Sequence, residues 1–158
     1  MFRCLSIVAL LAGTTAADTG GEALTVDSHF YGAFFGAMVG GSLHFEHRPA
    51  DSTVGFTLRA SGSAGAAYDE GQFSWFTALV GLRRHWDAGY FEIEAGWAGL
   101  RNGRATDDFD EGRHYGVVWH HLPDLQFTFG GRIGPVDLGV FTQIPAAGLG
   151  LRLGVALD

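Results

Sequence analysis

The sequence contains no lysine and carries few charges of either sign. Charged residues make up 17% of the 158 residues, and the 10 basic ones are all arginine. A soluble domain usually has about a quarter of its residues charged, with lysine and glutamate covering its surface. The formal net charge of -7 argues against nucleic acid as a partner, because binding to phosphates requires a basic surface. The length fits a single domain.

Cysteine and long apolar runs are scarce as well. The single cysteine, Cys4, lies close to the start of the sequence, so the residues after it can form no disulfide with one another. No apolar run beyond it reaches the roughly 18 residues that a transmembrane helix needs. The 25 glycines are spread along the chain, and each would cost a helix about 1 kcal/mol relative to alanine. The composition therefore excludes a mainly helical fold.

Residues 1–17 have the layout of a secretory signal peptide. Arg3 provides a short positive region, Leu5 to Ala12 form an apolar core, and Thr15 to Ala17 provide a small-residue cleavage site. The apolar core is too short to serve as a membrane anchor. We therefore expect an exported protein with three parts: a signal peptide over 1–17, an N-terminal periplasmic segment over 18–27 and one β-barrel domain over 28–158.

Beyond the signal peptide, apolar and polar residues alternate with a period of two, which is typical of strands with two different faces. Residues 149–157 read LGLRLGVAL, with leucine or valine at every odd position. Short turns alternate with looser connections, as in an up-and-down antiparallel barrel. The pattern predicts an all-β fold, a single antiparallel barrel of eight strands at 28–37, 41–47, 53–62, 73–85, 90–101, 124–133, 136–144 and 148–157.

Periodicity alone does not decide which face of these strands points inward. In a soluble barrel the apolar face is the core, whereas in a membrane barrel the apolar face meets lipid and the other face fills the interior. Here the second face consists mostly of glycine, serine, threonine and glutamine with isolated charges. Small residues suit the narrow interior of an eight-stranded barrel. We therefore expect a transmembrane barrel in contact with outer-membrane lipid, and keep as the alternative a soluble exported barrel that binds a small apolar ligand in the periplasm or outside the cell.

The alternation over about residues 28–158 resembles that of the small bacterial outer-membrane barrels of the OmpA/OmpX type. The resemblance implies an eight-stranded barrel in the outer membrane, with both termini in the periplasm and a structural or surface-interaction role. Barrels of this type usually end in an aromatic residue that the insertion machinery reads. This sequence departs from that pattern, because it ends in Leu157 and Asp158.

Seven charged residues fall on the predicted inward face. Inside a narrow barrel such charges have to pair, because an unpaired buried charge costs several kcal/mol. We expect an ion-pair network that fills the interior, and the alternative is a charged constriction in a small channel. Eight strands leave little room for an open aqueous pore. The seven residues are Glu46, Arg59, Arg83, Glu92, Glu94, Arg132 and Arg152.

The longest predicted loop, 101–123, is the expected site of contact with a surface ligand. It combines aromatic residues, acids and histidines, and loops on rigid barrels often carry function. No metal site is predicted there, since His120 and His121 would point to opposite sides of an extended chain. No cofactor motif is recognisable either, because no glycine-rich phosphate loop follows a strand. The candidate contact residues are Phe109, His114, Tyr115, Trp119, His120 and His121.

An enzymatic role is not expected from the sequence. Outer-membrane lipid A deacylases are small barrels with a histidine and a serine close together on a late strand, and residues 143–148 hold a similar-looking position. This segment reads QIPAAG and contains neither residue. An acyl-enzyme cannot form without a nucleophile and a base. The sequence therefore predicts a protein that is not an enzyme, with an inactive relative of these deacylases as an alternative.

Overall fold

The computed structural model describes residues 21–33, 36–67, 72–87, 89–106, 114–144 and 147–157. The described elements are β-strands, and no helix among these residues has the length and apolar character needed to cross a membrane. The strands are β1 (Gly21–Ala33), β2 (Gly36–Arg48), β3 (Val54–Ala67), β4 (Gln72–Trp86), β5 (Gly89–Thr106), β6 (His114–Ile133), β7 (Val136–Ile144) and β8 (Gly148–Leu157).

The eight strands form one closed antiparallel barrel in sequence order. Each strand pairs with the next one, and β8 closes the barrel by pairing with β1, for example at His29 opposite Arg152. Closure leaves the sheet without a continuous free edge, which removes the unpaired backbone groups that an open sheet would expose. The predicted all-β, up-and-down barrel of eight strands is confirmed.

The barrel carries its apolar side chains on the outside. Along β8, Leu149 and Leu151 are 62% and 59% exposed, while Arg152 between Leu151 and Leu153 is buried. The same alternation holds in β4, where Leu82 is exposed and Arg83 is buried. Charged and polar side chains therefore fill much of the interior, the opposite of a water-soluble barrel. A smaller apolar cluster that includes Met38, Phe73 and Trp75 is buried as well.

The two ends of the barrel differ. Both termini of the described chain lie at the end where β2 is joined to β3, β4 to β5 and β6 to β7. The tight turn between β6 and β7 has Gly134 at φ 58°, a left-handed conformation that glycine adopts without strain. The last residues of β1, β3, β5 and β7, namely Ala33, Ala67, Thr106 and Ile144, lie at the opposite end. We call this opposite end the loop end and the other the terminal end.

Several strand boundaries differ from those predicted. β1 ends at Ala33 and β2 begins at Gly36, although the first strand was expected to continue to residue 37, and β3 runs to Ala67 instead of residue 62. β1 begins at Gly21, inside the segment 18–27 that was expected to precede the barrel. The predicted loop 101–123 is mostly strand, because β5 runs to Thr106 and β6 begins at His114, and these two residues pair. Pro123 suggested a loop, but it lies on the part of β6 that has no partner in β7, where a missing N–H is tolerated.

Candidate functional site

A charged network fills the middle of the barrel. Glu92 and Glu94 lie two residues apart on β5, so both carboxylates point into the interior. Arg59 on β3, Arg83 on β4 and Arg152 on β8 point inward from other strands. All five side chains are buried. The barrel thus brings together charges that are far apart in the sequence.

Glu92 is the centre of this network. Three guanidinium groups donate to the same oxygen, Glu92 Oε2: Arg83 Nη2 at 3.0 Å, Arg59 Nη2 at 3.3 Å and Arg152 Nη2 at 3.4 Å. Charge-assisted bonds of this kind are stronger than bonds between neutral groups. One carboxylate therefore ties together strands β3, β4, β5 and β8.

The remaining bonds extend the network toward both ends. Arg59 donates through Nε to Glu94 Oε2 (2.6 Å) and through Nη1 to Asp27 Oδ2 (3.1 Å). Arg83 Nη1 donates to Glu46 Oε2 at 3.2 Å. Six of the seven predicted interior charges therefore lie in one connected group: Glu46, Arg59, Arg83, Glu92, Glu94 and Arg152.

Arg132 is the exception, and its predicted interior position is corrected. It lies next to the β6–β7 turn, and its side chain is 32% exposed. Its Nη2 is 3.8 Å from Asp137 Oδ2, so it meets the network only at the rim. The alternation along β6 places Arg132 on the inward face. Because the residue lies at the end of its strand, however, its side chain is at the mouth of the barrel rather than in the middle of the interior.

Several interior residues escaped the sequence analysis. Asp137 accepts a bond from the Tyr90 hydroxyl (2.5 Å) and lies 3.5 Å from Arg152 Nη2. The Arg83 guanidinium lies over the Tyr90 ring, 3.9 Å from its centroid, a cation–π contact. Strand parity could have found Asp137, which lies on the polar face of β7. Tyr90 could have been found in the same way, because it shares the parity of Glu92 and Glu94 on β5.

His44 on β2 brings an imidazole to the two glutamates. Its Nε2 lies 2.6 Å from Glu92 Oε1 and 3.8 Å from Glu94 Oε1. All three residues are fully buried. Among the described residues, this is the group of potential ligand atoms close enough together to hold one metal ion. Parity placed His44 on the polar face of its strand, but nothing in the sequence linked it to residues 92 and 94.

A second polar group lies nearer the loop end. His29 Nε2 is 2.7 Å from Ser63 Oγ, and His29 Nδ1 is 3.6 Å from Asp27 Oδ1. The contact passes over Gly40, which pairs with His29 on one side and with Ser63 on the other. A Cβ atom at Gly40 would lie 2.6 Å from Ser63 Oγ, so only glycine leaves room for it. The chain of contacts from Ser63 through His29 to Asp27 has the arrangement of a nucleophile, a base and an acid that orients the base.

The space beside this second group is small. Its cavity has room for about one water-sized molecule. Aromatic side chains form part of its wall, and the Tyr31 and Phe141 rings stack at 5.5 Å. The cavity is lined in part by His29, Tyr31, Ser63, Trp75, Phe141 and Arg152. An apolar layer therefore lies between the charged network and the loop end of the barrel.

The predicted loop contacts occupy a strand extension instead of a single long loop. His114, Tyr115 and Trp119 belong to β6, and Phe109 lies outside the described residues. His120 and His121 are exposed on β6, and the His121 ring stacks on Trp97 with centroids 5.6 Å apart.

Residues 143–148, which were compared with the deacylase segment, are described only in part. Gln143 is buried and donates through Nε2 to Asp124 Oδ2. Residues 145 and 146 lie outside the described chain. Gln143 therefore serves as a hydrogen-bond partner inside the barrel.

Comparison with known proteins identifies the fold. No family model matches the chain, and no curated protein matches it. Among solved structures, the N-terminal β-barrel domain of Pseudomonas aeruginosa OprF matches with a TM-score of 0.59 and 13% identity, over 87% of this chain and 99% of that domain. At this identity the likeness shows the fold alone. The expected resemblance to eight-stranded outer-membrane barrels is confirmed at that level.

Proposed function

We propose that this chain is an exported outer-membrane barrel whose interior is closed by its ion-pair network, and that its role is structural or one of surface interaction. The observation that carries the proposal is the inverted distribution of side chains. Large apolar residues such as Phe30, Val39 and Leu151 are more than half exposed, whereas arginines and glutamates are buried. A closed barrel satisfies its backbone hydrogen bonds internally, as a lipid environment requires.

If the barrel were soluble, the exposed apolar side chains on its outer face would be in contact with water. Exposed apolar patches on soluble monomers rarely exceed a few hundred Å², while the outward residues here surround the barrel. A soluble barrel that binds an apolar ligand would also need an apolar interior. The middle of the interior instead holds the charged network, and the cavity beside the apolar layer has room for only about one water molecule. Both observations favour a membrane barrel.

Cell fractionation with a heat-modifiability gel tests this proposal. We expect the protein in the outer-membrane pellet, with unboiled and boiled samples migrating differently because the folded barrel resists the detergent. A protein that stays in the supernatant and shows no shift on boiling would contradict it. The signal peptide over 1–17 would be tested in the same preparation by N-terminal sequencing.

The β5–β6 hairpin is the element that we propose for surface contact. β5 and β6 pair up to Thr106 opposite His114. The neighbouring strands end earlier. The pairing of β4 with β5 ends at Gln72 opposite Gly103, and the pairing of β7 with β6 ends at Ile144 opposite Leu125. The hairpin therefore extends past the adjacent strands at the loop end. With the termini in the periplasm, this end would face the outside of the cell.

Cysteine labelling in whole cells tests this orientation. The sequence after Cys4 contains no cysteine, so introduced thiols are unique in the exported chain. Asp110→Cys, in the connection between β5 and β6, should react with a membrane-impermeant maleimide. Ala50→Cys, in the β2–β3 turn, is the matched control and should react only after lysis. Labelling of both sites in intact cells, or of Ala50→Cys alone, would contradict the orientation.

A hydrolase is the second candidate, because Ser63 contacts His29 and His29 contacts Asp27, as the three residues of a catalytic triad do. The room for about one water molecule beside Ser63 argues against it, since an ester would have to displace the aromatic wall. We therefore propose that the group is structural. A fluorophosphonate probe should leave wild-type protein unlabelled. Labelling that disappears in Ser63→Ala and His29→Ala but persists in Ser61→Ala would establish the hydrolase instead.

A further inference from the structure

We propose that His44, Glu92 and Glu94 form a binding site for one divalent transition-metal ion, such as Zn²⁺, inside the barrel. The site lies between β2 and β5, which face each other across the interior without pairing. It goes beyond the structural role proposed above, because it gives the charged network a specific ligand.

The geometry of the three ligand atoms suits a single ion. His44 Nε2 lies 2.6 Å from Glu92 Oε1 and 3.8 Å from Glu94 Oε1, and all three atoms lie within 4.8 Å of one another. Bonds to zinc of about 2.0–2.2 Å in a tetrahedral site place ligand atoms roughly 3.4 Å apart. The observed separations fall on both sides of that value, so small side-chain shifts would complete the site.

The arginines leave one oxygen of each glutamate for the ion. Arg59 Nε donates to Glu94 Oε2 and Arg83 Nη2 donates to Glu92 Oε2. Both Oε1 atoms instead face His44. Groups that hold the outer atoms of metal ligands orient those ligands and are a regular part of metal sites. Arg83 Nη2 also lies 3.4 Å from His44 Nε2, so it would move toward Glu92 Oε2 when the ion enters.

Glu94 Oε1 provides an independent observation. Glu94 is fully buried, and its Oε1 has no hydrogen-bond partner. A buried carboxylate oxygen without a partner costs free energy, and such atoms are uncommon in folded proteins. The oxygen is directed toward His44 Nε2, at 3.8 Å. A cation bound between these atoms would satisfy it.

The charge balance of the network points the same way. Among the described residues, five buried carboxylates are linked to only three buried arginines. The network therefore lacks two positive charges among its buried groups, and one if the partly exposed Arg132 beside Asp137 is counted. A divalent cation would supply this positive charge. Protons are the other way to supply it, on carboxylates or on the histidines His29, His44 and His85. The carboxylates are Asp27, Glu46, Glu92, Glu94 and Asp137, and the arginines are Arg59, Arg83 and Arg152.

The ligand set selects the class of ion. One imidazole nitrogen and two carboxylate oxygens suit zinc and its neighbours among the divalent transition metals. Calcium and magnesium prefer oxygen ligands alone. Because the site is enclosed, we expect the ion to enter during folding rather than through the finished barrel.

The test is to refold the mature barrel from urea into detergent micelles with Zn²⁺ or with a chelator. His47, which is exposed beside Glu22, and the β6 histidines His114, His120 and His121 are replaced by alanine in every sample, so that none of these four binds zinc. After gel filtration we expect one zinc per folded barrel by elemental analysis, and a higher Tm than in the chelator sample. Folded protein without zinc would overturn the proposal and assign the missing charges to protons.

Two variants locate the site. Glu94→Gln keeps the shape of the side chain, removes its charge, and should weaken zinc binding at least about tenfold. Glu46→Gln removes a network carboxylate outside the site and should retain bound zinc. Equal zinc in both variants would overturn the assignment. If Glu94→Gln does not fold, X-ray absorption of the zinc-loaded parent decides, with one imidazole expected and none contradicting the site.

Discussion

Arg152 shows how single residues hold the barrel interior. Its Nη2 donates to the Tyr90 hydroxyl (2.6 Å) and to Glu92 Oε2 (3.4 Å), both on β5. The same nitrogen lies 3.5 Å from Asp137 Oδ1 on β7. One guanidinium thus connects β8 with two other strands. Its loss would remove one of the three guanidinium groups around Glu92 and one of those beside Asp137. The excess of buried negative charge would then grow, and this is more damaging than the loss of an exposed ion pair.

Replacing Arg152 by leucine should therefore destabilise the barrel strongly. Loss of one partner from a buried ion pair costs about 3–5 kcal/mol, and we expect Arg152→Leu to fall in this range. Arg132→Leu is the control, because its partly exposed pair with Asp137 should contribute less than about 1 kcal/mol. Urea unfolding in lipid vesicles measures both values. Equal effects from the two substitutions would contradict the buried network.

Gly40 tests the contact between His29 and Ser63. A methyl group at this position would clash with the backbone carbonyl oxygen of Gly62 and would meet Ser63 Oγ at 2.6 Å. Gly40→Ala should cost about 1–3 kcal/mol, as overpacking usually does. Gly32→Ala on β1 is the control, since nothing lies within 4 Å of its added Cβ. Equal unfolding midpoints for the two variants would show that β2 and β3 separate freely at this point.

Strand parity identified most interior charges but not their partners. Glu92 and Arg152 could be placed inside from alternation alone, because an inward charge is conspicuous among glycines and serines. Asp27 was missed because its strand was expected to begin after it. The convergence of three arginines on one oxygen of Glu92 depends on side-chain directions across the interior, which no local pattern encodes.

At the scale of elements, the β5–β6 hairpin is the part of the barrel that sequence reasoning described least well. The predicted strands ended at 101 and began at 124, whereas pairing continues to Thr106 and from His114. The residues between them were expected to form one loop, 101–123. Strand pairing with a long partner overrode this expectation, since each residue added to the hairpin gains a neighbour on the other strand.

The extended hairpin also predicts tolerance to loop shortening. Replacing residues 107–113 by Asn-Gly would join β5 and β6 with a two-residue turn suited to a hairpin. We expect the variant to fold with its heat shift intact and its stability changed by less than about 1 kcal/mol. Loss of the heat shift would show that the connection itself is needed to align the two strands.

At the scale of the whole molecule, the barrel is inverted relative to a soluble protein. Leucine, valine and phenylalanine cover its outside, and the charged network occupies its middle. The low charge of the sequence fits such a molecule, because an outer face in contact with lipid needs no solvated shell. Closure was predictable from the regular order of strands and turns. To predict which face of the strands points inward, the small and polar residues of the second face had to be considered as well.

Quenching by brominated lipids tests the central claim that the apolar face meets lipid. Trp97 is 42% exposed on the outer face, whereas Trp75 is 3% exposed inside the barrel. Two variants are made in which either Trp97 or Trp75 is the single tryptophan, with Trp86 and Trp119 replaced in both. Each variant is refolded into vesicles of brominated or ordinary lipid. We predict strong quenching of Trp97 fluorescence by the brominated chains and little quenching of Trp75. Quenching of Trp75 with Trp97 unaffected, or a folded protein that does not associate with the vesicles, would contradict the account.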